Sequence, residues 1–479
     1  MRLLEMVILL LNLAALLMVY VPLRPAIRWA KFLPAATVII TLAHLVMEQY
    51  RWQMALSYVL TAALFLRTLP SLLKNTDRPP ARGALAFLAG GFGFVWWFVA
   101  ATLPVILPVP RLPTPPGPYA VGSVLYDWTD TTRVETYSSD PNAKRELMVQ
   151  VWYPALPTAD AKTIPLLDNF DAALPAFADI LKVPAFALDH LRLVRTHTYG
   201  DAPIRNDGAP YPLVILSHGY TGYRNAGVNQ MEALASSGYV AVAIDHAYAA
   251  AFTVFSNGRV VLNDPAMLPP AGQNLPGDQA MREALQATVV ADERFVMDQL
   301  QRLNAGQLDA RFAGKLDLQR IGLTGVSLGG GAVVWACHLD ARCKAGLVQD
   351  GWYEPLPETM VSEPLRQPFM FMQSETKMWK MDNLARLDTL YQKVSAPAVH
   401  LKLAGVLHDD FGDYPLLSPV SGLLPERGAL NGERTLQVVD AYMLAFFGRY
   451  LKNQPSPLLN GPSLDYPEVQ FASHSPPGP

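Results

Sequence analysis

Apolar positions over the first 110 residues fall into four nearly unbroken blocks, at about Leu3–Val21, Phe32–Met47, Trp52–Leu66 and Gly83–Leu107. A helix needs roughly 20 apolar residues to cross the hydrocarbon core of a bilayer. The first and fourth blocks reach that length. The second and third are shorter and are separated only by Glu48, Gln49, Tyr50 and Arg51, which suits a tight helical hairpin. The pattern predicts a transmembrane helical anchor over residues 1–110 with about four spans; three spans or a re-entrant hairpin are the variants. A cleaved signal peptide is the rival for the first block. It is weakened because no small-residue cleavage site precedes Pro22 and further apolar blocks follow.

Beyond Glu146 the pattern changes to short β-prone runs alternating with helical periodicity. Val149–Tyr153 reads as an early strand ended by Pro154. Leu213–Ser217 and Tyr239–Ile244 read as buried strands, and Arg320–Val326, Ala345–Val348, Pro368–Met372 and Ala398–Leu403 complete the strand set. Met231–Ser237, Ala280–Leu303, Leu328–His338 and Thr435–Leu451 read as helices. Such alternation predicts an α/β unit over 146–452, a mainly parallel sheet with helices on both faces. Between them lies a Pro-rich linker and lead-in segment, 111–145. Seven prolines between Pro104 and Pro118 stop the last apolar block and stiffen the connection. A Pro/Ser-rich tail, 453–479, is expected to be loosely ordered.

Charge sharpens this division. Residues 1–110 carry nine Lys/Arg against three Asp/Glu, a surplus of six cations; the remainder carries 29 against 38, a deficit of nine. A body that acidic argues against nucleic acid as a partner. Arg24, Arg28, Lys31, Arg67, Lys74, Arg78 and Arg82 lie in two connections on one side, against Arg2 and Arg51 on the other. The cation-rich side faces the cytoplasm by the positive-inside rule. The body is then extracytoplasmic, in the periplasm or outside the cell; the opposite reading has Arg2 holding the amino terminus inside.

Gly325-Val326-Ser327-Leu328-Gly329 is a Gly-x-Ser-x-Gly motif between a strand-like and a helix-like run. That context fits a sharp strand-to-helix turn which lifts a serine hydroxyl above the sheet edge. Among the downstream histidines, His408 follows the Ala398–Leu403 run by a short loop, where a strand-end base would hang. His338, His400 and His474 fall in a helix, a strand and the tail. For the orienting acid, Asp350 and Glu375 each end a strand and remain alternatives. Donors for an oxyanion are expected at the backbone N–H of Leu328 and, from the loop Ser217–Gly222, of Tyr220. His218 in that loop, and Asp245-His246 after a strand, are read as loop-holding groups.

These residues resemble a family. Val151–Pro154, Pro212–Gly219 ending in Ser-His-Gly, Gly325–Gly330, Leu347–Trp352, Ser374-Glu375 and His408–Phe411 are similar to the plasma-type platelet-activating factor acetylhydrolases, the lipoprotein-associated phospholipase A2 group. The likeness runs over about Glu146–Lys452. It implies an α/β-hydrolase fold and a calcium-independent serine esterase that releases short or oxidised sn-2 acyl chains from phospholipids. It also implies Asp350 rather than Glu375 as the acid, so that Ser327, Asp350 and His408 form the catalytic set with Leu328 and Tyr220. No cofactor and no metal are implied, and the expected partners are a lipid or small ester substrate and the bilayer. The membrane spans depart from that secreted family, and the segments Asn169–Val194 and Ala247–Gln279 show no match to it. A general carboxylesterase, or a polyester or lactone hydrolase, is therefore the alternative enzyme. A membrane-tethered binding protein that has lost catalysis is the alternative from another class. A transporter is disfavoured by the scarcity of intramembrane ionisable residues, His44 and Glu48 being the main candidates.

Cys337 and Cys343 end the nucleophile helix and open the strand to Asp350. A disulfide there and two buried thiols are both open readings. Asn169–Leu193 is rich in large apolar residues and is read as core or cap, or as a segment that dips toward the bilayer.

Overall fold

A computed structural model describes residues 1–21, 31–74, 83–268, 277–423 and 426–474. The chain divides into two compact units, and the first consists of Met1–Pro110 with the short segments Phe186–Leu193 and Leu417–Val420. The second comprises Arg111–Ala185, Val194–Leu416 and Ser421–Pro479.

The first unit holds the helices α1 (Leu3–Tyr20), α2 (Leu33–Met47), α3 (Ala55–Leu73) and α4 (Ala84–Ile106). With the turn Trp52–Met54 that leads into α3, three are long and apolar enough to cross a membrane: Leu3–Tyr20, Trp52–Leu73 and Ala84–Ile106. At 15 residues, α2 falls short of that length. The third helix runs past Leu66, where the apolar block ended, and takes in Arg67 and Pro70. One cation near a helix end does not stop it, because a long side chain can carry its charge away from the apolar stem. Residues 22–30 and 75–82, which include Arg24, Arg28, Arg78 and Arg82, lie outside the described residues.

Polar side chains join these helices. Asn12 Nδ2 donates to Ser57 O (3.2 Å) and Thr61 Oγ1 (3.0 Å). The indoles of Trp96 and Trp97 donate to Leu56 O and Leu9 O, each at 2.9 Å. At one end, the fully buried Arg51 forks onto Glu5 (2.5 and 2.7 Å) and reaches Leu107 O (2.6 Å). Arg2 donates to the carbonyls of Glu48 and Gln49. The start of α1, the α2–α3 turn and the end of α4 therefore meet on one side. Glu5, His44 and Glu48 bring three ligand-type atoms within 4.8 Å of one another, a cluster hidden in the sequence by the distance between its members. Arg51 already takes both oxygens of Glu5, and Arg2 pairs with Glu5 and Glu48. The donor set is thus neutralised by two guanidiniums and does not fit a metal cation.

The second unit is an eleven-stranded sheet. Its strands are β1 (Ala120–Val134), β2 (Lys144–Ala155), β3 (Thr163–Pro165), β4 (Arg195–Gly200), β5 (Tyr211–Ser217) and β6 (Val240–His246), then, past a separate hairpin of β7 (Phe252–Val254) and β8 (Val260–Leu262), β9 (Leu316–Val326), β10 (Cys343–Gln349), β11 (Phe369–Gln373), β12 (Ala398–Leu403) and β13 (Val469–His474). The spatial order is β13-β12-β11-β10-β9-β5-β6-β2-β1-β4-β3. The six strands from β12 to β6 are parallel throughout, as expected where both faces are covered. The helices that follow in the chain are α5 (Phe170–Ile180), α6 (Ala185–Leu188, which belongs to the first unit from Phe186 on), α7 (Val228–Ser236), α8 (Asp278–Asn304), α9 (Leu328–Leu339), α10 (Glu358–Ser362), α11 (Met381–Lys393) and α12 (Gly432–Lys452). Residues of α8 and α9, such as Val296, Leu300 and Val333, join those of β5, β6 and β9 in the largest apolar core. The packing neighbours of α12 include α7, β9 and β10.

Two stretches depart from expectation. The lead-in segment carries β1, fifteen residues long and paired antiparallel with β2 from Ala120↔Ala155 to Asp130↔Arg145. Its inner residues alternate with polar ones, as in Tyr126-Asp127-Trp128-Thr129, so it lacks the continuous apolar run of a central strand. The tail read as loosely ordered carries β13, antiparallel to β12, and His474 accepts its place there by bonding Tyr391 O (2.6 Å). Backbone pairing at a sheet edge requires little apolar side-chain content, which is why composition hid it.

Candidate active site

In the parallel pair β9–β10, Val326 is level with Gln349. The next residues, Ser327 and Asp350, therefore leave adjacent strands at the same carboxyl edge. Both have left-handed backbone, φ 56° and 48°, a costly conformation for residues with a Cβ. Ser327 N–H donates to Gln349 O (3.0 Å), and Ser327 O accepts from Trp352 N–H (2.8 Å). The turn is too tight for side chains beside the serine. A Cβ on Gly325 would lie 2.4 Å from the Gly329 carbonyl carbon, and one on Gly329 would lie 2.2 Å from Ser217 O. Helix α9 begins at Leu328, so the Leu328 N–H is one of the donors that a helix start leaves without an intrahelical partner.

Asp350 is almost wholly buried, and its carboxylate collects donors. Oδ2 accepts from His408 Nδ1 (2.6 Å), Trp379 Nε1 (2.9 Å) and Ser374 Oγ (3.0 Å), and Oδ1 accepts from Ser374 N–H (3.0 Å). With Nδ1 donating, the other ring nitrogen of His408 is free to act as a base. Glu375, the rival acid, instead accepts from Gly405 N–H (2.8 Å) and so fixes the loop that carries His408. Asp410 serves the same loop, accepting from Leu407 N–H (2.8 Å) and Gly428 N–H (2.7 Å). The other downstream histidines are engaged elsewhere: His338 lies 3.1 Å from Glu363 and His400 bonds Gln373 (3.0 Å).

The loop after β5 is held from behind. Thr221 N–H and Gly222 N–H, which follow Tyr220, donate to Ala249 O and Gly219 O. His218 Nδ1 donates to Gly219 O (2.7 Å), while its Nε2 accepts from His246 N–H (3.2 Å). Burial, and the neighbouring His246, push His218 down to about 3, so it is a neutral strut and not a base. His246 in turn bonds Asp292 (2.9 Å), and Asp292 pairs with Arg145 (2.5 Å). Burial alone would raise Asp292; the Arg145 guanidinium and His246 instead hold it well below the usual carboxylate range. Next to it on α8, Glu293 accepts from Ser217 Oγ (2.7 Å), and burial pushes its carboxyl up to about 8. Asp245 pairs with Arg224, which also grips Asp168 (2.6 Å). The Asp245-His246 dipeptide is thus divided between two buried networks, both of which fasten loops.

Sequence reasoning assigned no role to Ser374, Trp379, Arg145, Asp292 or Glu293. Asp292 and Glu293 carried a usable signal: two acids between Val289 and Val296, inside the buried stripe of α8. Trp379 carried none, since it lies six residues past the end of β11 in a loop. The two cysteines are joined, with Cα atoms 5.1 Å apart, so the end of α9 is tied to the start of β10.

A parallel sheet with a serine on a strained strand-to-helix turn, and a histidine–carboxylate pair at the same edge, defines an α/β-hydrolase. The chain matches the family described as platelet-activating factor acetylhydrolase, isoform II, over residues 108–456, and it belongs to that family. It is 25% identical over 397 residues to a probable 1-alkyl-2-acetylglycerophosphocholine esterase of Arthroderma benhamiae, covering 75% of this chain and 93% of that one. To a platelet-activating factor acetylhydrolase of Cavia porcellus it is 23% identical over 361 residues, 71% of this chain and 78% of that one. Among solved structures, a ferulic acid esterase from Streptomyces cinnamoneus has a TM-score of 0.63 at 26% identity, covering 76% of this chain and 99% of the other. The protein is a carboxylic ester hydrolase.

Proposed function

We propose that this protein is a membrane-anchored serine esterase that removes short or modified sn-2 acyl chains from phospholipids. Ser327 attacks the ester carbonyl while His408 takes its proton. The Leu328 and Tyr220 N–H groups stabilise the oxyanion. His408 returns the proton to the leaving lysolipid alcohol, and water then cleaves the acyl-enzyme by the same route. Asp350 holds the imidazole tautomer throughout. The observation that carries this reading is the 2.6 Å bond from His408 Nδ1 to Asp350 Oδ2, at strand ends neighbouring Ser327. Phospholipid as substrate is supported by the names of two relatives, a probable 1-alkyl-2-acetylglycerophosphocholine esterase and a platelet-activating factor acetylhydrolase.

Anchoring is supported by three apolar helices of 18, 22 and 23 residues, each near the roughly 20 residues that a span requires. An extracytoplasmic body is supported by the cation-rich connections and by the Cys337–Cys343 disulfide, since such bonds persist in oxidising compartments. A second reading, a carboxylesterase of simple or aromatic esters, is favoured by the ferulic acid esterase likeness. One assay separates them: the full chain in detergent, given phosphatidylcholines with sn-2 chains from acetyl to palmitoyl beside feruloyl and p-nitrophenyl esters. A phospholipase has its highest kcat/KM on the acetyl phospholipid; preference for the feruloyl ester removes the phospholipid reading. Ser327→Ala must abolish every one of these activities, with the fold retained by circular dichroism.

A further inference from the structure

The triad reading leaves one neighbour without a role. Trp379 touches both partners of the histidine–acid pair. Its Nε1–H donates to Asp350 Oδ2 at 2.9 Å, the same oxygen that His408 uses at 2.6 Å. Its ring also stands at 87° to the His408 ring, with centroids 5.0 Å apart, an edge-to-face arrangement that aromatic groups favour. A single hydrogen bond at Nδ1 leaves an imidazole able to pivot about that bond. A perpendicular ring packed against it removes the freedom.

The segment that carries Trp379 is itself fastened at several points. Thr376 N–H donates to Ser374 Oγ (3.2 Å), Thr376 Oγ1 donates to Glu426 (2.6 Å), and Met378 N–H donates to Thr376 Oγ1 (3.1 Å). Helix α11 begins two residues beyond the tryptophan. Ser374, in the same segment, supplies the other two donors to Asp350.

We propose that Trp379 is a positioning residue for ester hydrolysis: its N–H moderates the negative charge of Asp350, and its ring sets the plane of His408. This rests on the triad reading and adds an electrostatic consequence. A carboxylate relieved of one donor attracts an adjacent imidazolium more strongly, so removing the indole N–H makes the base hold its proton to higher pH.

The test uses the full chain in detergent and a short-chain ester, with two variants. Trp379→Phe keeps an aromatic ring and deletes the N–H; Trp379→Leu deletes both. A hydrogen bond to a charged group is commonly worth about a tenfold change. Trp379→Phe is therefore expected to lower kcat roughly tenfold with KM within about twofold, and to move the acidic limb of the kcat/KM–pH profile upward. Trp379→Leu is expected to lose more activity than Phe, because it also frees the imidazole. A Trp379→Phe enzyme with unchanged kcat and an unmoved acidic limb overturns the proposal. So does a loss of activity in both variants that tracks a lowered melting temperature and leaves the pH limb in place. Ser327→Ala, run alongside, tests the triad separately: activity surviving in that variant refutes the nucleophile whatever the tryptophan variants do.

Discussion

Each unit contains a fully buried arginine forked onto a buried carboxylate, and the two pairs serve different ends. In the helical unit, Arg51 holds Glu5 and the last carbonyls of α4, gathering helix ends on one side. In the sheet unit, Arg145 holds Asp292, Glu135 and Ala247 O, and Asp292 passes the constraint through His246 and His218 to Gly219 in the loop after β5. A buried ion pair is a weak source of net stability, because desolvation offsets most of the attraction; its removal from one side is nonetheless expensive. The comparison teaches that such a pair is best read by what it aligns. One aligns backbone ends, and the other aligns the turn after β5.

The largest effect expected is chemical and confined to the sheet unit. Asp350→Asn should lower turnover on the order of 10⁴-fold with the fold intact, because an amide favours the wrong imidazole tautomer. Steady-state kinetics beside circular dichroism measure it, and a loss under tenfold would detach Asp350 from the catalytic set. The two arginines come next. Arg51→Leu and Arg145→Leu each take one cation from a buried carboxylate, leaving Arg2 on Glu5 and Arg133 on Asp292, and should each cost about 3 kcal/mol. Hydrolysis per folded molecule should persist in Arg51→Leu and collapse on mild heating in Arg145→Leu. Equal loss of kcat in both variants would erase the distinction drawn above.

The smallest effect concerns Glu293, whose carboxyl is pushed up to about 8 from an ordinary 4.5 by burial. The folded state binds its proton more tightly than the unfolded chain does. Its contribution is therefore fully present below about 4.5 and is lost as pH rises toward 8. Glu293→Gln keeps a partner for Ser217 and has no proton to lose, so the melting temperature of the variant should decline less between pH 5 and pH 8 than that of the wild type. Parallel declines would mean that other groups, such as Asp440, raised to about 7 by its burial, carry the pH dependence.

Legibility in the sequence followed burial. Strands covered on both faces, such as β5 and β6, appear as continuous apolar runs and were read to within two residues. The strands β1 and β4, which lie beside the β3 edge, and the edge strand β13 did not appear, because they mix exposed with buried positions and their hydrogen bonds leave no trace in composition. At the site, Ser327 declared itself through Gly325 and Gly329, which the turn requires. His408 was legible from its place after a strand. Asp350 and Glu375 stood even on strand position alone, and a family resemblance was needed to favour the first. The coordinates separate them by partner: one carboxylate meets the imidazole, and the other meets the Gly405 N–H.

Local pattern alone therefore determined that this chain joins apolar helices to an α/β body with a Gly-x-Ser-x-Gly strand-to-helix turn, since periodicity and glycine sterics act between near neighbours. Tertiary structure alone decided which carboxylate faces the histidine, that Trp379 stands beside both, and that Arg145 braces the loop after β5 through Asp292, His246 and His218. The Trp379–Asp350, His408–Asp350 and Arg145–Asp292 bonds join residues 29, 58 and 147 positions apart, and they exist only because the fold brings distant segments together.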